Sequence, residues 1–303
     1  MEQIQKSTRK SEYFKTENRT WVFMLLPALV VMIIISIYPT LFNFYNSLFK
    51  WNFARQQIRS FVGFNNYIDT LNDSRFLGAL LNTLIFVSAS VIIEFCGGFI
   101  LSLLLFNVHS KGRVYRSLMI LPTMVTPIVA SLMWLLMYNS DYGIIKYLLQ
   151  VLGVQSPPAL LASHTWAMPA IILVDVWQWT PYVAMCIYAG LVAIPKDIEE
   201  AARVDGANIF QKVLLIYLPS LKPVISIVLL MRIIDSFKSF EVVYMLTKGG
   251  PGSATELISY YAYKIGFSFF EVGKSSSISL IIVVVITLIC SKLNKLIGDE
   301  WVV

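Results

Sequence analysis

Histidine and cysteine are nearly missing from this 303-residue chain, which has two of the first and three of the second. His109 and His164 stand apart, and Cys96, Cys186 and Cys290 sit singly in apolar runs without CxxC spacing, so neither a metal centre nor a disulfide framework is indicated. With so few histidines most hydrolytic schemes lack a base, and no GxSxG, HExxH or Ser, His and Asp set occurs. A phosphate-cradling loop is incomplete as well. Gly273, Lys274 and Ser275 spell its end, but the glycine required five positions before Gly273 is Ser268. Enzymatic function, ATP hydrolysis included, is therefore not expected of this chain.

Charge is scarce at 14%, while 57% of the residues are hydrophobic, more apolar surface than a soluble core can hide. The chain belongs in a bilayer. Its net charge of +6 is scattered over loops instead of forming a stripe, which argues for positive flanks of membrane spans and against nucleic acid as a partner. No cleavable leader is evident, because the first apolar run, from Trp21, is about span length and lacks a small-residue cleavage site.

Hydropathy predicts an all-α polytopic membrane protein with six transmembrane helices. A polar tail, residues 1–20, carries Lys6, Arg9, Lys10, Lys15 and Arg19 and precedes a transmembrane domain over 21–299. The spans are expected near Trp21–Leu41, Leu80–Phe106, Val114–Tyr138, Ala167–Ile194, Leu221–Leu246 and Ser277–Leu296. Pro27 and Pro39 are expected near the ends of the first, and Pro122 and Pro127 to bracket a kink in the third. A short helix should start near Gly63 in the polar, aromatic segment 42–79. With both termini cytoplasmic, fourteen Lys and Arg fall on the inner side and eight on the outer, in keeping with the positive-inside tendency.

The most informative stretch is Glu199–Pro219, EEAARVDGANIFQKVLLIYLP, the longest polar interruption in the second half. It reads as helix, turn, helix: Asp197 is placed to cap the first helix with Glu200 three residues on, Gly206 to stop it in the left-handed region, and Asn208 with Gln211 to cap the second. The order Glu200, Ala201, Ala202, Gly206, Ile216, Leu218, Pro219 resembles the EAA signature of binding-protein-dependent ABC importer permeases. The resemblance runs over roughly residues 20–300. A GGP loop at Gly249–Pro251 makes the chain similar to the carbohydrate, MalF/UgpA-like branch.

That resemblance implies a MetI-like (type I importer) permease fold in a prokaryotic cytoplasmic membrane. It also implies a transport subunit that imports a sugar or related polyhydroxylated solute. The implied partners are a MalG-like second permease, two ATP-binding cassette subunits that hold ATP and Mg, and an extracytoplasmic solute-binding protein. The loop 195–220 would dock on the ATPase, with Glu199, Glu200 and Asp205 offering carboxylates and small Ala201 and Ala202 allowing close approach up to the Gly206 turn. Thr255, Glu256, Tyr263 and Phe267 resemble the external stretch near the docked binding protein.

Polar residues recur at i, i+3, i+4 and i+7 on both helices that flank this loop, the spacing of a single helix face. They are Asp175, Gln178, Trp179 and Tyr182 on the fourth span and Arg232, Asp235, Ser236 and Ser239 on the fifth. Ionisable groups at the membrane centre cost about 2.5–3.5 kcal/mol each, so these faces should meet each other or a common cavity. Acid, amide and aromatic ring suit a polyhydroxylated solute. Two alternatives stay open: Arg232 could select an anionic solute such as a glycerol phosphate or acidic sugar, or Arg232 with Asp235, Asp235 with Lys238 and Lys238 with Glu241 could neutralise one another along the helix. Glu94, at mid-span, must face protein or water. A secondary transporter is the rival class, although repeated halves are not visible.

Overall fold

A computed structural model describes residues 24–54, 59–108 and 112–298. The polar tail 1–20, the start of the first span at Trp21, and Lys111 lie outside them. Among the described residues five helices are long and apolar enough to cross a membrane, and a bent pair brings the number to six where it is counted as one span.

The first span, Met24–Ser47, is longer than expected because it continues past Leu41. Pro39 lies inside it and not at its end. A proline lacks the N–H that its turn needs, and the helix accommodates it with a π segment at Ile33–Ile37, closed by the Tyr38 N–H on the Ile33 carbonyl. The most apolar part of this helix is not covered by the rest of the chain, as suits a surface bathed in lipid. Its far end is polar and buried at Asn46 and Ser47. There a two-residue hairpin, β1 (Phe49–Lys50) with β2 (Ser60–Phe61), is tied down by the Asn66 amide, which donates to the Ser47 and Phe49 carbonyls at 2.7 and 3.0 Å. Asn66 belongs to the short helix Asn65–Leu71, which follows Gly63 at φ +58°.

The second span, Ser74–Asn107, has 34 residues, about 50 Å at 1.5 Å each, and so projects well beyond a 30 Å hydrocarbon core. Asp73 caps it by accepting from the Arg75 N–H. Its partner is the fourth span, Ala167–Val192. A Cβ on Gly98 would lie 2.8 Å from Val183 Cγ1, so this glycine is what lets the two helices approach. Such packing replaces the hydrophobic driving force that lipid cannot supply.

The third span is broken: Gly112–Met124 and Pro127–Met137 meet at 91°. Pro127 opens the second piece at the position where its missing N–H is harmless. Towards the end of the loop 195–220 the chain passes through a second π segment, Val213–Tyr217, just before Pro219, and enters the fifth span. That helix, Leu218–Phe237, resumes as Glu241–Leu246 after a break. Helix Ile258–Tyr263 then leads to the sixth span, Val272–Gly298. Gly273 is pressed against the hairpin, where a Cβ would collide with the Phe49 carbonyl, so its Gly, Lys, Ser run is a packing contact.

Candidate functional site

Three spans converge on one charged cluster. Arg232 of the fifth is 1% exposed, and its Nε and Nη2 donate to Glu94 of the second at 2.7 and 2.9 Å in a two-pronged pair. Nη2 also donates to Asp175 of the fourth and to Ser236, both at 3.1 Å. The guanidinium carbon lies 4.8 Å from the centre of the Trp179 ring. Glu94 and Asp175 are as enclosed as the arginine, 0% and 2% exposed. Buried charges persist only when they are paired and hydrogen-bonded in this way. The charged partners of Arg232 therefore stand on other helices. Of the pairings left open along the fifth span, Arg232 with Asp235 does not form, whereas Asp235 meets Lys238 at 3.7 Å between exposed side chains.

Beside this cluster opens a cavity of about 250 Å³. Six of the eight candidate residues line it: Asp175, Gln178, Trp179, Arg232, Asp235 and Ser239. Tyr182 and Ser236 do not. Tyr182 packs edge-on against Trp179, and Ser236 is a buried acceptor for Arg232. Ser239 reaches the cavity by a route that periodicity does not give, since the helix stops at Phe237 and the chain turns before Glu241. Pro127, Lys238, Glu241 and Val242 complete the lining. Gln178 explains how the broken third span is held, because its Nε2 donates at 2.9 Å to the Val125 carbonyl exposed at the break. Its Oε1 is buried with no partner among the described residues.

The loop that joins these two spans has the expected helix, turn and helix. The first helix, Lys196–Val204, is preceded by Pro195, so Asp197 lies in its first turn and is not its cap. There its carboxylate favours the positive end of the helix dipole. Gly206 has φ +72°, and the Gly206 and Ala207 N–H groups close on the Arg203 and Ala202 carbonyls in a Schellman arrangement. Asn208 and Gln211 form a reciprocal capping box at 2.9 and 2.8 Å. Glu200, Ala201, Asp205 and Gly206 face outward; Glu199 is half-buried, 3.9 Å from Arg203. Ala202 is turned inward and buried, so it is not part of an outward face. Exposed Val204 and Phe210 stand beside the turn.

At the opposite end of the spans, Glu256 is buried between Arg75, which holds it in two prongs at 2.7 and 3.0 Å, and Lys264 at 3.1 Å. Thr255 is likewise turned inward, onto Thr247 and the Gly250 carbonyl. Asp73 accepts from Lys274 and Tyr261 at 2.8 and 2.7 Å. Partial burial opposes its charge, but the Lys274 ammonium, the Tyr261 hydroxyl and the Arg75 N–H prevail and hold its pKa at about 2. Of the four residues assigned to this end, Phe267 is openly exposed.

Residues 95–297 match the sequence profile of the binding-protein-dependent transport system inner membrane component. The chain belongs to that family. It is 38% identical over 276 residues to the probable ABC transporter permease protein y4oQ of Sinorhizobium fredii, covering 90% of this chain and 88% of the relative. With the trehalose/maltose transport system permease protein MalF of Thermococcus litoralis it shares 37% over 280 residues, 92% and 93% of the two chains. Its fold resembles, with a TM-score of 0.80 and 22% identity over 94% and 98% of the chains, a bacterial ABC transporter involved in the import of the acidic polysaccharide alginate. This permease of an ABC transporter is thus a multi-pass membrane protein of MetI-like fold. Glu94 is the member of the buried charged cluster that periodicity did not join to the others, because it stands on a third helix. A lone acid at mid-span calls for a buried base, and Arg232 and Lys238 are the basic residues in the interior of the expected fifth span.

Proposed function

We propose that this permease is one transmembrane half of an ATP-driven importer, and that it carries a saccharide or related polyhydroxylated solute inward. The observation that carries the reading is the cavity in which a carboxylate, an amide and an indole meet between the two spans that flank the signature loop. Carboxylate and amide oxygens accept hydroxyl protons, while an indole face covers the apolar face of a sugar ring. The trehalose/maltose permease of Thermococcus supports this cargo class.

In this reading a MalG-like permease completes the pore, and an extracytoplasmic binding protein delivers the solute. Two ATP-binding cassette subunits bind ATP and Mg, and this chain itself performs no catalysis. Both termini and the loop 195–220 face the cytoplasm. Outward-facing Glu200, Ala201 and Asp205, with Val204 and Phe210, meet a cleft of the ATPase, and Glu199 braces the helix through Arg203. The Gly206 turn fixes the angle between the two short helices, so closure of the ATPase dimer is passed to the fourth and fifth spans. Their cavity then faces each side of the membrane in turn.

The test is to purify the chain from its native membrane with a C-terminal tag and ask what accompanies it. An ATPase subunit should copurify, and the reconstituted assembly should hydrolyse ATP faster when the binding protein and a saccharide are added. Trp179→Ala should weaken the sugar response at least tenfold. A chain that transports without any ATPase subunit would instead be a secondary transporter.

A further inference from the structure

We propose that the cavity rejects anionic solutes, and that Glu94 and Asp175 cause this by committing Arg232 to the protein. The inference rests on the saccharide reading and narrows the cargo to an uncharged polyhydroxylated solute.

Arg232 and Lys238 are the cations among the described residues that line the cavity. Each is already paired with at least one acid. Arg232 gives its Nε and one Nη2 bond to Glu94 and a further Nη2 bond to Asp175, so two carboxylates surround one guanidinium. Lys238 lies 3.7 Å from Asp235, and Glu241 adds another carboxylate to the lining. Three acids, Asp175, Asp235 and Glu241, therefore line the cavity with two bases, and Glu94 stands behind Arg232. Like charges about 6 Å apart in a medium of effective dielectric 20 repel strongly enough to weaken binding roughly a hundredfold.

Gln178 lines the cavity too, and as an uncharged amide it adds no cation to it. Glu94 does not line the cavity. It acts through Arg232 as a positioning residue, and the quantity that reports on it is a selectivity ratio, which simple destabilisation would not change.

The experiment measures equilibrium binding to the complete importer in nanodiscs, without the external binding protein. The probes are neutral mono- and disaccharides, each paired with its own phosphate ester or uronic acid. A neutral member should bind at least tenfold more tightly than its anionic counterpart. Glu94→Gln and Asp235→Asn should each narrow that gap threefold or more. Asp235 is exposed, so its variant keeps the test decisive if Glu94→Gln does not fold. Anionic members that bind as well as neutral ones, or a gap that neither variant changes, would overturn the charge inference and leave the saccharide reading standing. Binding by no member of either series would overturn both.

Discussion

Replacing Glu94 by alanine leaves the Arg232 guanidinium, 1% exposed, with one carboxylate where it had two. The hydrogen bonds at 2.7 and 2.9 Å disappear with it. Unit charges about 3 Å apart attract by roughly 6 kcal/mol at an effective dielectric of 20, and removing both from water returns several kcal/mol of that. Net benefit is modest, but an orphaned buried charge typically costs about 3–5 kcal/mol. Asp175 remains at 3.1 Å and compensates part of it, so a loss of about 2–4 kcal/mol is expected. Glu94→Gln keeps the shape and one acceptor and should cost about half as much. Combined with Arg232→Met, Glu94→Ala should cost about 1.5 kcal/mol less than the two single changes added together, because the second change removes the orphan that the first created. The assay is thermal unfolding of the detergent-solubilised importer. An alanine variant as stable as the parent, or a double variant whose cost is the simple sum, would refute the pairing.

Gly98→Val puts methyl groups where Val183 already stands and should separate the second and fourth spans, at a cost of about 1–3 kcal/mol measured by the same unfolding assay. Gln178→Leu strands the Val125 carbonyl at the break of the third span; a cost of about 1–3 kcal/mol is expected, with accelerated hydrogen exchange confined to residues near 122–130. At the other end, the Asp73 carboxyl has a folded pKa depressed to about 2. Its stabilising contribution is therefore complete above the ordinary carboxylate value and is lost as pH falls towards about 2. Acid titration of stability should steepen below pH 4, and Asp73→Asn should flatten it there.

Much of this architecture could be read from composition and spacing, because apolar runs of span length have few alternatives in lipid. The Pro122, Pro127 pair marked the break in the third span, and Gly206 and the Asn208, Gln211 pair marked the turn and the second cap, each from chemistry local to the chain. Asp197 misled because Pro195 already occupies the cap position and moves the helix start ahead of it. The π segments gave no signal, since a proline can equally end a helix or widen it. Helical periodicity found the facing polar stripes of the fourth and fifth spans. It could not choose among charge partners: Arg232 had Asp235 close by in sequence, yet it is met by Glu94, 138 residues away. Only the packing of three helices decides that, just as it decides that Ala202 and Glu256 turn inward.

Coupling is tested most directly by the number of ATP molecules hydrolysed per solute imported, measured in proteoliposomes that contain the complete transporter with Gly206→Pro in this chain. Proline cannot adopt φ +72°, so the angle between the two short helices must change. Hydrolysis should continue while import falls at least tenfold, with the subunit still inserted and assembled. Import at the parental rate with an unchanged ratio would contradict the transfer of motion through this loop.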